Sequence, residues 1–325
     1  MITTFNIKTI AACLIFVTIT ACTLFKQFIP QTTLKTASVE SLRQIALIED
    51  KALSEISGLA ASILLPDRLW VINDSSHPAW IYAINVNGDV EGKYSINNAQ
   101  NYDWEALASF RLNNRPYLLI ADIGDNRAQR DHYTLYIIPE PDDAGRKIDL
   151  QQTIQIAWTI TYQYEDGPQD AESIAVDVAN NKIFILNKRT VPARLYELPL
   201  MPNKLKPLPL IAKKITQLTN IIQFRLANIF TGNTTSIFGG LVTDMSISPN
   251  QQSVVILTYS RAYLLHRNPT EDWATVFSRA PEIIDFPSLQ QAEAITYAFD
   301  GKSIYITSEN QPAPLIQVVL REDVK

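Results

Sequence analysis

Thr243–Leu257 reads TDMSISPNQQSVVIL, and Glu293–Thr307 reads EAITYAFDGKSIYIT. The two stretches align without a gap: a short segment with an aliphatic centre, a polar turn, then an apolar run at the same offset. Each run is nearly continuous rather than alternating and is rich in β-branched residues, the pattern of a strand covered on both faces. Self-similarity of this kind signals a repeat architecture, in which no unit can bury its apolar face alone.

Three more copies of the first strand lie upstream, at Ser57-Gly58-Leu59-Ala60, Glu105-Ala106-Leu107-Ala108 and Glu172-Ser173-Ile174-Ala175. Their second strands are Leu69–Ile72, Tyr117–Ile120 and Ile183–Leu186, matching Val254–Leu257 and Ile304–Thr307 in the later copies. Third strands carry an aliphatic-Tyr pair at Ile81-Tyr82, Leu135-Tyr136 and Leu195-Tyr196, with Tyr263-Leu264 and Leu315-Ile316 as looser versions. Fourth strands are expected at Val90–Ile96, Thr153–Ile160, Lys213–Leu218 and Trp273–Phe277. The fifth copy has no fourth strand before Lys325, whereas Leu42–Ile48 reads as a strand without a unit of its own. Adding it to the last sheet would close the ring and leave no open edge.

The expected fold is therefore all-β, a β-propeller of five four-stranded blades over residues 42–325, closed by an N-terminal strand. First-strand centres lie 48, 67, 71 and 50 residues apart, so a degenerate sixth blade has room within 204–240. A pair of β-sandwiches is the alternative.

The N-terminus has the parts of an export signal: Lys8, an apolar run from Thr9 to Ala21, and small residues at its end. The 13-residue run is shorter than the ~18–20 residues that span a bilayer. Ile19-Thr20-Ala21-Cys22 resembles the lipobox of bacterial lipoproteins. Residues 1–21 are thus expected to be cut away, Cys22 to carry lipid, and 22–41, polar and Thr-rich, to form a flexible tether. Thr23 rather than Asp after the cysteine favours, by analogy with enterobacterial sorting, the outer membrane, with the domain on the periplasmic face of the envelope.

The only other cysteine, Cys13, lies within the signal, so the mature chain has no disulfide and must rely on its core. Three scattered histidines, His77, His132 and His266, argue against a zinc site. Without Lys8, 27 basic residues face 33 acidic ones, a net charge near −6 that argues against a nucleic-acid partner.

In a propeller, the start of each first strand and the end of each second strand share one face. The starts hold Ser57, Glu105, Glu172, Thr243 and Glu293; the positions past the second strands hold Asp74, Asp122, Lys188, Tyr259 and Glu309. Six of these ten are acidic, with Lys188, Arg189 and Arg261 nearby, and crowded carboxylates have raised pKa values unless a cation offsets them. The expected ligand-binding residues are Asp74, Glu105, Asp122, Glu172, Lys188, Arg189, Arg261, Glu293 and Glu309. If the rim holds Ca²⁺, which takes six to eight oxygen ligands, the expected set is Asp122, Asp125, Glu105, Glu172 and Glu293. Asp122-Ile123-Gly124-Asp125-Asn126 is the leading segment, with Gly124 expected to bend the backbone; further acidic groups are Asp103-Trp104-Glu105 and Glu165–Glu172. Repeated acids at strand starts also cap backbone amides, and Trp70 and Trp104 fit packing better than ligand stacking. No Gly-x-Ser-x-Gly elbow or phosphate-binding Gly-x-x-x-x-Gly-Lys occurs.

Asp103-Trp104-Glu105-Ala106, Ala121–Asn126, Asp166–Glu172 and Asn187-Lys188-Arg189 together resemble an uncharacterised family of exported bacterial β-propeller (lipo)proteins. More distantly, the Glu-x-aliphatic-Ala strand start is similar to that of propeller phytases and calcium-dependent lactonases related to gluconolactonase. This chain lacks their full set of calcium ligands and is poor in histidine. Two functions are therefore weighed: binding of a small-molecule or protein ligand at an acidic rim without catalysis, or Ca²⁺-assisted hydrolysis of phosphate esters or lactones. A purely structural assembly subunit is a third reading.

Overall fold

The computed structural model describes residues 34–143, 152–203, 209–221 and 240–321. The signal segment and Cys22 lie outside the described residues. The compact unit that contains the repeats begins at Thr36.

The fold is all-β. In chain order the strands are β1 (Val39–Ile48), β2 (Ile56–Ala61), β3 (Arg68–Asn73), β4 (Trp80–Asn85), β5 (Val90–Ile96), β6 (Trp104–Leu112) and β7 (Arg115–Asp122). They continue with β8 (Tyr133–Pro139), β9 (Gln152–Ile154), β10 (Trp158–Tyr164), β11 (Ala171–Asp177), β12 (Lys182–Asn187), β13 (Arg194–Pro199) and β14 (Leu210–Gln217). The last are β15 (Val242–Ile247), β16 (Ser253–Thr258), β17 (Arg261–His266), β18 (Glu282–Ile284), β19 (Ala292–Tyr297), β20 (Ser303–Ser308) and β21 (Ala313–Leu320).

These strands form four sheets, ordered β2-β3-β4-β5-β9, β6-β7-β8-β10-β14-β13-β12-β11, β15-β16-β17-β18 and β19-β20-β21-β1. The eight-stranded sheet is two antiparallel meanders joined by the parallel β10–β14 pair, with Tyr162 opposite Leu210. β1 pairs antiparallel with β21 from Val39–Leu320 to Ile48–Ala313, so the N-terminal segment completes the last sheet. It begins three residues before Leu42, and Ala37 N already donates to Ile283 O at 2.8 Å. Residues 39–41, expected in the tether, are therefore part of β1, and Thr36 forms an isolated bridge to Ile283.

β2 packs beside β6, β6 beside β11, β11 beside β15, β15 beside β19, and β19 beside β2, so the five first strands form a cycle. Their far ends surround a cavity of about 170 Å³ lined by Ala61, Phe110, Val176, Ile247 and Tyr297, one residue from each strand. Apolar cores fill the spaces between neighbouring sheets; one joins Trp70 and Ile72 of β3 to Leu107 and Leu118 of the next repeat. Trp70 and Trp104 are both fully buried there, as packing residues.

Two expected fourth strands differ. Trp273–Phe277 is a helix, α1: the Asp272 carboxylate accepts from Thr275 N, and Trp273 and Phe277, one turn apart, both pack on Phe184. β18 takes the edge position, pairing Ile284 with Ala262. Thr153–Ile160 splits, because β9 adds in parallel to β5 whereas β10 pairs with β8. The sixth-blade expectation over 204–240 falls mostly outside the described residues; the described part, 209–221, contains β14.

Candidate acidic site at the strand starts

Every first strand carries a one-residue register shift against its second strand at the same place. The pairing jumps between Ile56 and Gly58, Trp104 and Ala106, Ala171 and Ser173, Val242 and Asp244, and Ala292 and Ala294. The five skipped residues are Ser57, Glu105, Glu172, Thr243 and Glu293, the start positions of the sequence repeat. A β-bulge leaves its extra residue out of the ladder and re-aims its side chain. The repeat thus encodes a bulge, and the bulge presents the polar group.

Two of these side chains are structural. Ser57 Oγ donates to Trp104 O at 2.7 Å and Thr243 Oγ1 to Ala292 O at 2.8 Å, each tying one first strand to the next. The three glutamates instead interact with one another. Burial is the largest influence on Glu105 and raises its pKa well above the usual range, and the charges of Glu172, Asp74 and Asp103 add to it. Glu172 is likewise raised by burial, against the pull of Lys188 and with a further push from Glu293. Glu293 is pushed up to about 7 by burial, opposed by Lys188 and reinforced by Glu309.

The positions just past the second strands supply the other wall. Register places Asp74, Lys188, Tyr259 and Glu309 directly after the residues paired with Ile56, Ala171, Val242 and Ala292. In the second repeat the residue paired with Trp104 is Asp122 itself, so the equivalent position is Ile123. Asp122 is one residue out of phase. Its carboxylate accepts from Tyr102 N and Asp103 N, both at 3.3 Å, and pairs with Arg130 at 2.7 Å. Asp125 also serves its own loop, accepting from Gln129 N, Arg130 N and the Tyr133 hydroxyl at 2.8–2.9 Å. Both expected metal ligands are thus held in local hydrogen-bond networks.

Asp103 takes the place expected of Asp122. One carboxylate oxygen from each of Asp74, Asp103 and Glu105 lies within 4.8 Å of the other two. Burial, the Asp74 charge and a hydrogen bond with Asp74 push Asp103 up to about 7. Gly124 makes room for this cluster: a methyl group on its Cα would overlap the carboxylates of both Asp103 and Glu105. Its φ is not in the left-handed region, so the expected backbone bend is not what requires glycine there. Gly124→Ala is expected to drive the two carboxylates apart and cost about 1–3 kcal/mol by overpacking, measurable by urea unfolding; an unchanged midpoint would refute the crowding.

Lys188, 5% exposed, is the buried cation of the site: Nζ pairs with Glu172 Oε1 and lies 4.9 Å from the Tyr259 ring centroid. Burial lowers its pKa, but Glu172, Glu293, Tyr259 and Glu105 more than offset this, so it stays charged. The second carboxylate oxygen of Glu172, Oε2, is buried and has no hydrogen-bond partner among the described residues.

Arg189 is spent on Asp170, at 2.7 Å, and on Asn126. Arg261 lies apart, 3.6 Å from Asp285. The segment before the third repeat is structural as well: Asp166 accepts from the Tyr196 hydroxyl and pairs with Arg194, and Glu165 accepts from Lys214 N. The site is therefore Asp74, Asp103, Glu105, Glu172, Glu293 and Glu309 around Lys188 and Tyr259.

No protein-family model matches this chain, and no curated protein matches it significantly.

Proposed function

We propose that this chain is a five-bladed β-propeller that binds a positively charged ligand at the acidic cluster formed by its first-strand starts, without catalysis. The observation that carries this reading is the gathering of carboxylates from different repeats, one oxygen each of Asp74, Asp103 and Glu105 lying within 4.8 Å of the other two, with Asp103, Glu105, Glu172, Glu293 and Glu309 all raised by burial and neighbouring negative charge. Such crowding is unfavourable in isolation and is relieved by added positive charge. The cycle of first strands, the bulge in each, and the closing β1–β21 pair support the propeller assignment.

The lipobox-like Ile19–Cys22 supports a lipid anchor on the periplasmic face of a bacterial envelope, and Thr23 at the next position favours the outer membrane. Among the described residues no helix is long and apolar enough to cross a membrane.

The hydrolase reading loses its charge-stabilising groups. Lys188 is already paired with Glu172 and Arg189 with Asp170, so neither is free to stabilise negative charge on a phosphate or lactone oxygen. Incubation with phosphate monoesters and lactones is expected to give no turnover above background. Turnover lost in Glu172→Gln would establish hydrolysis instead.

A thermal-shift screen of the purified protein tests the binding reading, using divalent cations, polyamines and Lys- or Arg-rich peptides. At about 100 times Kd a ligand of the native state adds roughly 2.7 kcal/mol, so a cationic hit should raise the melting temperature by several degrees. Stabilisation only by anions, or by no cation at all, would overturn the proposal.

A further inference from the structure

We infer that the cavity at the far ends of the first strands binds a small aromatic carboxylate, its ring held inside the cycle of strands and its carboxylate held by Arg111. This site is separate from the acidic cluster and does not depend on how that cluster is read.

The two ends of the first strands differ in charge. At the starts, three of the bulged positions are glutamates. Among the described residues that line the far cavity there is no Asp or Glu, and Arg111 is the one charged side chain. Glu105 and Phe110 both lie on β6, and at the rise of a strand their separation is about 16 Å. That exceeds the Debye length of about 8 Å at physiological salt, so carboxylates at one end hardly oppose an anion at the other.

The size of the cavity sets the body of the ligand. A cavity of about 150 Å³ accommodates a benzene molecule, and this one measures about 170 Å³. Its wall brings together the rings of Phe110, Tyr297 and Phe299, with Val176 and Ile247 adding aliphatic surface. Ring–ring contacts contribute beyond simple area burial, which favours an aromatic body over an aliphatic one of equal size.

The hydroxyls of the wall are already used. Thr296 Oγ1 accepts from Ala61 N at 3.4 Å and donates to Tyr297 O at 3.2 Å, and Ser246 Oγ accepts from Tyr297 N at 3.2 Å. Both tie β19 to a neighbouring first strand. Ser248 Oγ donates to Asn250 Oδ1 at 2.7 Å and accepts from Ser253 N at 3.0 Å, closing its own turn.

Arg111 differs. It is exposed, its contacts are Asn114 O at 3.5 Å and the Phe299 ring at 5.9 Å, and no carboxylate among the described residues pairs with it. A guanidinium carries five N–H donors in a fork that matches a carboxylate, so most of them remain for a ligand. Phe299 is itself 43% exposed and follows β19, which is separated from β6 in the cycle by β2. The cation and the ring therefore meet across the end of β2, at the entrance. An apolar chamber with one directional polar group is the usual form of a small-molecule site.

The test is calorimetric titration of the purified protein with sodium benzoate, benzyl alcohol and sodium hexanoate. Benzoate is expected to fill one saturable site with a Kd of about 1 mM or tighter, and the other two to bind more weakly. Arg111→Gln, a change at an exposed position, should melt with the wild type and bind benzoate about tenfold more weakly, with benzyl alcohol unaffected. Ala108→Leu, which adds bulk at a half-buried lining position, should weaken benzoate and benzyl alcohol together. Glu105→Gln should bind benzoate as the wild type does, and Arg111→Gln should leave any spermidine binding unchanged, so failure at one end is distinguishable from failure at the other. Absence of saturable benzoate binding, equal benzoate affinity in Arg111→Gln, or tighter binding of hexanoate than of benzoate would overturn the assignment.

Discussion

Deletion of Val39–Ile48 is expected to abolish cooperative folding of the whole domain, although the segment lies at the end farthest in sequence from the strand it pairs with. β1 is antiparallel to β21 along its length, and Ile48 is fully buried in a core with Leu53, Leu59, Ala313 and Leu315. Without β1, β21 becomes a sheet edge bearing unpaired backbone groups, the kind of surface that recruits other chains. The loss of Ile48 alone is comparable to a large-to-small core substitution of about 2–5 kcal/mol, and the backbone ladder goes with it. Total stabilities are about 5–15 kcal/mol, so little or none should remain. Size-exclusion chromatography and urea unfolding followed by circular dichroism provide the check. Ile48→Asp, which keeps the backbone ladder, should show the same trend with a residual transition. A truncated protein that stays monomeric and unfolds with the wild-type midpoint would mean that the cycle does not depend on its N-terminal strand.

The second large effect is expected from Lys188→Met. Removing one partner of a buried ion pair costs about 3–5 kcal/mol, because the remaining charge is left uncompensated. Lys188 opposes the upward shifts of Glu105, Glu172 and Glu293, so its loss raises all three further. The sign of the pH dependence follows. A carboxyl whose folded pKa lies above its unfolded value holds more protons in the native state between the two values, so stability falls as pH rises through that window. For Glu293 the window already runs from 4.5 to about 7 in the wild type, and the substitution extends it upward. The loss should therefore approach the full amount at pH 8 and shrink toward pH 5, where protonation removes the repulsion. Denaturant unfolding at the two pH values measures it. An equal loss at both would show that Lys188 contributes packing rather than charge compensation.

Much of the fold was legible because strands buried on both faces write themselves as continuous apolar runs. Leu69–Ile72, Ile183–Leu186 and Ile304–Thr307 all fall inside second strands. Val90–Ile96 coincides with β5. The outer strands were harder, since an edge position imposes less pattern. Trp273–Phe277 has strand-like composition, yet a single capping carboxylate at Asp272 and two aromatics one turn apart make it helical.

The site was legible in part for a related reason. The polar residue at each first-strand start was visible as a repeat, and all five coincide with the bulges. What the spacing could not fix was register in the second repeat. Its hairpin is longer, turning through Asn113 and Asn114 in left-handed conformation, and that extra length shifts Asp122 into the ladder. The carboxylate of that repeat that joins Asp74 and Glu105 is Asp103 instead, two residues before the bulged Glu105. Strand pairing decides which of two nearby aspartates joins the cluster, and a one-residue slip sends a side chain to the opposite face.

The central claim is that the carboxylates gathered at the strand starts bind a positively charged ligand, and calorimetric titration of the wild type and of Glu105→Gln with divalent cations, spermidine and Lys-rich peptides tests it most directly. The expected result is saturable binding of at least one of these that weakens in Glu105→Gln. Saturable binding of none of them, or equal binding by the variant, would contradict it.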